Sequence, residues 1–269
     1  MSSRPLYIDC QVFQSAAWHR GMGKYSMELL KNLLPTIEKD RSATLVFTEY
    51  LDIPEEVVQL SSQSKVEIIR LPLKLPVEPR EDENIQPTRL ANKQILDDAI
   101  AQDHDFFILS LYLDEVCSVF PSTATNKSLV YYDSIPYLYH ERYGKFKGFF
   151  EYFYLPHTAT VFEASCLFTI SQTVANDLKI FLGIPERKIC NIDGAYIPSP
   201  DVAEIKPQSL DGVDEFILMP SGQEIRKNNL RAVRAFRSYV NATNSSAKLV
   251  VTSFFTDEAI EELTAESGG

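Results

Sequence analysis

Cys166–Ile192 reads CLFTISQTVANDLKIFLGIPERKICNI, and this stretch decides the fold. Cys166–Ile170 is an apolar run of strand length closed by Ser171. Ser171 is a good helix N-cap, because its hydroxyl can accept from an otherwise orphaned backbone N–H. The apolar positions that follow recur at helical spacing until Leu182. Gly183 then supplies a C′ residue, and Pro185 prevents the helix from continuing. Lys188–Ile192 (KICNI) is a second short strand. A strand, a helix and a strand in 27 residues form one βαβ unit, which implies parallel strands.

The same alternation extends in both directions. Leu6–Cys10 is a strand containing Asp9, followed by a polar, turn-like stretch and an amphipathic helix over Gly23–Leu34. Ala43–Thr48 and Val66–Leu71 are strands. Pro72–Pro87 is a Pro-rich, acidic loop, and Leu90–Ala101 a helix. Phe106–Leu111 is a buried strand, and Leu129–Tyr132 another, closed by Asp133. Tyr137–Tyr154 is crowded with aromatic residues and carries Arg142, Lys145 and Lys147. It reads as a helical core face, with docking at a membrane interface or on an acceptor as the alternative. Beyond the Pro-rich stretch 198–214, Glu215–Met219 is a strand, Arg226–Val240 a helix, Lys248–Ser253 a strand and Phe255–Glu266 a last helix. Such alternation predicts an α/β fold with a mostly parallel sheet. Its ligands belong at the carboxyl ends of the strands, where Asp9, Gly21–Gly23, Asp133 and Ser171 all fall.

The chain has 269 residues, enough for one large domain or two small ones. Lys+Arg number 26 against 37 Asp+Glu, a net charge of −11. That argues against a general nucleic-acid binder, whose affinity depends on neutralising phosphates. No apolar run is long enough for a transmembrane helix, and MSSRPLYIDC lacks a signal-peptide core. The four cysteines (Cys10, Cys117, Cys166, Cys190) form no Cys-x-x-Cys pair and read as buried small hydrophobes. The four histidines have no metal-binding spacing. No Gly-x-Ser-x-Gly elbow occurs.

Three segments carry chemistry. Arg20-Gly21-Met22-Gly23-Lys24-Tyr25 places two glycines and two cations at a helix start, where backbone N–H groups can meet an anion. A third glycine of the dinucleotide fingerprint is replaced by Ser26. Asp133 follows a buried strand. It can accept from a sugar hydroxyl or cap the next turn, and its residue type leaves both open. Gly222 allows close backbone approach, and Arg226 and Lys227 stand at a helix entrance that normally favours acids. That inversion suits an anionic ligand such as a diphosphate. A solvated basic turn is the plain alternative.

In order and spacing these segments resemble the retaining glycosyltransferases of family 4 (group 1), which have the GT-B architecture. Arg20–Tyr25 is similar to the family's Arg-Gly-Ile-Gly-Arg-Tyr turn. Tyr132-Asp133-Ser134-Ile135-Pro136 is similar to its Tyr/His-Asp-Leu-Ile-Pro segment. Thr169–Thr173, with Asp177-Leu178 and Gly183-Ile184-Pro185, looks like its central helix motif. Gly222, Glu224 and Arg226-Lys227-Asn228 resemble the opening of its donor-binding domain. The pattern is most like the bacterial mannosyltransferase-like members that build cell-surface polysaccharides.

The resemblance implies a Rossmann-like, acceptor-side domain over 1–200, a linker over 201–214 and a second Rossmann-like domain begun over 215–269. It implies a nucleotide-sugar donor, a glycan or lipid-linked acceptor and no catalytic metal or cofactor. Gly21, Gly23, Gly222, Arg226 and Lys227 would meet the donor phosphates, and Asp133 would contact or orient a sugar. A cytoplasmic location follows, with room for peripheral contact at the inner membrane face and for self-association. Two departures stand out. Tyr132 occupies the place where many members have His. The family's Glu-x7-Glu motif does not occur in its expected context between Pro220 and Gly269, where Asp257, Glu258, Glu261, Glu262 and Glu266 read as the solvated face of the last helix, so most of the donor domain is expected to be missing. A truncated, inactive sugar- or nucleotide-binding α/β protein is therefore the alternative.

Overall fold

The computed structural model describes residues 4–37, 39–64, 66–76, 84–100, 102–143, 148–194, 207–222, 225–252 and 255–267. Parts of the expected loop over 72–87 and linker over 201–214 lie outside them, as do Lys145, Lys147 and Glu224. The chain divides into two compact units, Met1–Pro198 and Ser199–Gly269.

The first unit is a seven-stranded, wholly parallel sheet. Its strands are β1 (Leu6–Asp9), β2 (Ala43–Thr48), β3 (Glu67–Leu71), β4 (Asp105–Ile108), β5 (Asn126–Tyr131), β6 (Cys166–Thr169) and β7 (Ile189–Asn191). Their order across the sheet is β3-β2-β1-β4-β5-β6-β7. From β1 the chain winds outward in one direction, then from β4 outward in the other. The crevice between β1 and β4 is therefore the topological switch point. Connecting helices are α1 (Gly21–Ile37), α2 (Glu55–Gln63), α3 (Gln86–Ala99), α4 (Ile135–Leu138), α5 (His140–Tyr143), α6 (Leu155–Glu163) and α7 (Gln172–Leu182).

Strand side chains alternate between two cores, as a period of two requires. Leu45 and Phe47 of β2 join the core under α1, with Ile8, Leu30 and Leu34. Val46 joins the opposite core, with Leu96 of α3, Val161 of α6 and Leu178 of α7. In β5, Val130 faces the first core while Leu129 and Tyr131 face the second. Each such side chain, fully buried, contributes about 1.5–3 kcal/mol.

The caps of α7 form as the residues dictate. Ser171 Oγ accepts from Val174 N at 3.3 Å, and Gly183 adopts φ 64°. Elsewhere the structure corrects the reading. Helix α2 has no counterpart among the expected elements, because its short apolar stripe buries only Val57 and Ser61. Helix α1 starts two residues earlier and ends three residues later than expected. The aromatic stretch is broken rather than one helical core face. After α4 and α5, Phe149–Tyr154 forms a wide π-helical turn in which Phe153 and Tyr154 are buried. Tyr137, Tyr139 and Tyr152 stay exposed. Cys10 and Cys117 are buried as expected, but Cys190 is exposed, since it lies on the edge strand β7.

The second unit pairs β8 (Phe216–Pro220) with β9 (Lys248–Thr252) in parallel, joined by α8 (Asn229–Thr243). Helix α9 (Asp257–Ser267) packs on α8, where Arg234 makes a two-pronged ion pair with Glu266 at 2.8 and 3.1 Å. The two helices start three and two residues later than the expected Arg226 and Phe255.

Candidate functional site

In a parallel sheet all strands present their carboxyl ends at one rim. Here that rim gathers Asp9, Ser110, Tyr132, Asp133, Ser171 and Asp193. The first turn of α1 is tied to it. Tyr132 projects to the α1 face, its hydroxyl 2.8 Å from Ser26 Oγ and 3.4 Å from the Met22 carbonyl. The Tyr25 ring meets Tyr132 edge-on at 5.9 Å, and its hydroxyl donates to the Asp193 carbonyl at 3.1 Å. Burial pushes the Tyr132 phenol well above its ordinary range, so it stays protonated.

The two glycines of this turn play different parts. A Cβ on Gly21 would meet nothing within 4 Å, so its surroundings are open to a ligand. A Cβ on Gly23 would lie 2.5 Å from the Ala17 and Trp18 carbonyl oxygens. Gly23 therefore admits the preceding 3-10 turn, Ala16–His19, against the helix. Asp133 is half-buried, and its Oδ1 accepts the Ile135 N–H at 2.9 Å. The capping role is thus present.

Asp9, the last residue of β1, is buried at the switch point. Its oxygens accept from Gln11 N at 3.0 Å and Gln11 Nε2 at 2.9 Å. Desolvation raises its pKa to about 6, against the opposing effect of those bonds. Two more buried polar residues lie where α3 meets α6. Arg89 of α3 is 5% exposed and donates from Nη2 to Thr160 Oγ1 of α6 at 2.8 Å. His157 is wholly buried and bonds through Nδ1 to the Phe153 carbonyl at 3.0 Å. Burial first, and Arg89 second, lower its pKa to about 3. Neither group was among the expected site residues. A signal was present in Ile85, Arg89, Asn92 and Leu96, whose spacing puts two polar residues in the buried stripe of α3.

In the second unit, the loop at Ser221–Gly222 is held by Asn229, the first residue of α8. Asn229 Nδ2 donates to the Gly222 carbonyl at 2.8 Å, and its Oδ1 receives the Ser221 hydroxyl. Arg226 is half-buried and Lys227 exposed, both in a single 3-10 turn. Asn228 follows at φ 55°, and the first turn of α8 contains no acidic residue. The N-terminus of α8 is therefore electropositive in both side chains and dipole. Gly21, Gly23 and Asp133 belong to the first unit; Gly222, Arg226 and Lys227 belong to the second.

Among the described residues no cluster of His, Cys, Asp or Glu could hold a metal ion. No described helix is long and apolar enough to cross a membrane.

No protein-family model and no curated protein matches the chain. Solved structures do. It is similar to a glycosyltransferase from Rickettsia africae, at 13% identity and TM-score 0.54, over 100% of this chain and 65% of that one. It is similar to a trehalose-6-phosphate phosphatase N-terminal domain from Candida albicans, at 9% identity and TM-score 0.54, over 100% and 70%. It is also similar to a protein assigned as a UDP-N-acetylglucosamine 2-epimerase from Listeria monocytogenes, at 12% identity and TM-score 0.51, over 99% and 67%. The fold is Rossmann-like, of the GT-B type. The chain spans about two thirds of the length of these structures.

Proposed function

We propose that this chain binds a nucleotide sugar and takes part in glycosyl transfer. The observation that carries the reading is the start of α8. Arg226 and Lys227 precede a helix whose first turn has no acid, beside a Ser221–Gly222 loop held by Asn229. Two cations and a helix dipole at one place favour a diphosphate. In transfer, the same groups would stabilise the charge that develops on the leaving nucleoside diphosphate, without a metal.

Gly21 fits a role beside the donor phosphates, because its surroundings are open. Gly23 is assigned to the same turn with a packing duty. Asp133 would contact or orient a sugar. The domain boundaries, 1–200 and 215–269 around a linker, belong to this reading. So do its finer parts: membership of family 4, retention of configuration, a hexose such as mannose, and a glycan or lipid-linked acceptor in polysaccharide synthesis.

Binding without transfer is the second reading, favoured by the engagement of Asp133 in a local cap. Calorimetric titration with GDP-, UDP- and ADP-sugars separates them from nothing at all. Micromolar binding lost in Arg226→Ala and Lys227→Ala supports the donor site. Binding with no release of nucleoside diphosphate in the presence of acceptors supports the second reading. An absence of binding to every nucleotide sinks both.

A further inference from the structure

Tyr132 connects two candidate site residues through their immediate neighbours. It directly precedes Asp133, and its side chain crosses from the end of β5 to the first turn of α1. There its hydroxyl donates to the Met22 carbonyl at 3.4 Å and lies 2.8 Å from Ser26 Oγ. A phenol has one proton to give, so with that proton on Met22 it accepts from Ser26. Met22 directly follows Gly21. One tyrosine side chain and one hydrogen bond therefore span the gap between the residue before Asp133 and the residue after Gly21.

The same turn is held from two other strand ends. Ser110, beyond β4, donates from Oγ to Met22 Sδ at 2.7 Å. Tyr25 packs its ring edge-on against Tyr132 at 5.9 Å, and its hydroxyl donates to the carbonyl of Asp193, beyond β7, at 3.1 Å. Ser26 is wholly buried, so water does not compete for its bond. Asp133 is fixed on its own side by the Ile135 N–H at 2.9 Å. Ser110 and Tyr25 thus steady the turn, and Tyr132 joins it to the segment that carries Asp133.

Both ends of this span stay within reach of a ligand. A Cβ on Gly21 would meet nothing within 4 Å, and Asp133 is half-buried. Groups already held in place lose little freedom when a ligand engages them. A ligand that engages both gains further, because its second contact forms at the high effective concentration set by the first. That gain disappears when the separation is free to vary, although each contact can still be made singly.

We propose that Tyr132 is a positioning residue that sets the separation of Gly21 and Asp133, and so favours a ligand joining a sugar to a phosphate over the phosphate part alone. The inference rests on the donor reading above for the roles of those two residues. It adds that the selectivity for the sugar depends on a side chain that touches neither part of the ligand. Tyr132 acts through the turn it holds, by way of Met22 and Ser26.

The test is calorimetric titration of the full chain with GDP-mannose against GDP, and UDP-glucose against UDP. Wild type, Tyr132→Phe and Ser26→Ala are compared at a temperature where circular dichroism shows each to be folded. In the wild type one sugar nucleotide is expected to bind roughly tenfold more tightly than its diphosphate. Tyr132→Phe is expected to erase that preference. Its diphosphate affinity should stay within about twofold, since Arg226 and Lys227 of the other unit are untouched. Ser26→Ala keeps the bond to Met22 and is expected to lose part of the preference, which carries the test if Tyr132→Phe does not fold. A tie that only stabilises the fold would lower the unfolding midpoint of both variants and leave the preference as in the wild type. That result would overturn the positioning role alone. A wild-type chain that binds diphosphate as tightly as sugar nucleotide would also overturn it. A wild-type chain that binds no nucleotide at all would overturn the donor reading, and the positioning role with it.

Discussion

The hydroxyl of Tyr132 lies 2.8 Å from Ser26 Oγ, joining the end of β5 to the first turn of α1 across 106 positions of sequence. Ser26 is fully buried, so this bond has no water to replace it. Tyr132→Phe leaves Ser26 Oγ without that partner and is expected to destabilise the chain by about 1–3 kcal/mol. Urea unfolding should show a lower midpoint with an unchanged slope.

Gly21 and Gly23 should separate cleanly. Gly23→Ala drives a Cβ into backbone atoms of Ala17 and Trp18 that cannot swing aside. A loss of about 1–3 kcal/mol is expected, read from the urea midpoint. Gly21→Ala meets open space and should be neutral or stabilising by up to about 1 kcal/mol. If Gly21 approaches the donor, nucleotide-sugar affinity falls in that variant although stability does not.

Asp9 makes stability depend on pH with a definite sign. Its folded pKa of about 6 exceeds the ordinary value of 3.8, so the folded state holds the proton more tightly. The resulting stability is complete below about pH 4 and is lost as pH rises through about 6. The loss is on the order of 3 kcal/mol. Asp9→Asn should remove this slope, gaining stability over wild type at pH 8 and little at pH 4. Gln11 can accommodate the change by turning its amide, since its Oε1 is buried without a partner among the described residues.

His157 acts in the opposite direction. Its folded pKa of about 3 lies below the ordinary 6.5, so the folded state excludes the proton. The stability it contributes is present above about pH 6.5 and lost as pH falls toward 3. His157→Gln should remove this rise and leave the opposing slope of Asp9 uncompensated. A wild-type profile measured between pH 4 and 6 should be flatter than that of either variant, because the two slopes oppose each other there.

Lys227 is exposed, so Lys227→Ala should leave the unfolding free energy within about 0.5 kcal/mol of wild type. The same substitution should weaken binding of a nucleoside diphosphate by roughly tenfold, the worth of one charge-assisted bond. Calorimetry at two salt concentrations checks both the loss and its electrostatic origin.

Local chemistry was read well where one residue dictates one conformation. Ser171 and Gly183 cap α7 as their side chains require, and apolar alternation placed the strands within a few residues. Weak local signals failed. Helix α2 buries too few residues to declare itself, and the aromatic crowding of Tyr137–Tyr154 disguised a break and a wide turn.

Sequence alone determined the α/β class, the strand-to-helix alternation and the strand-end positions of Asp9, Asp133 and Ser171, because caps, turns and periodicity act within a few residues. Only the tertiary structure decided which face each side chain meets. It turned Tyr131 and Tyr132 to opposite cores, gave Gly23 to packing and Gly21 to open space, and left Arg89 buried beside His157. Those outcomes depend on contacts between residues tens of positions apart, and burial, not residue type, sets the charge state of Asp9 and His157.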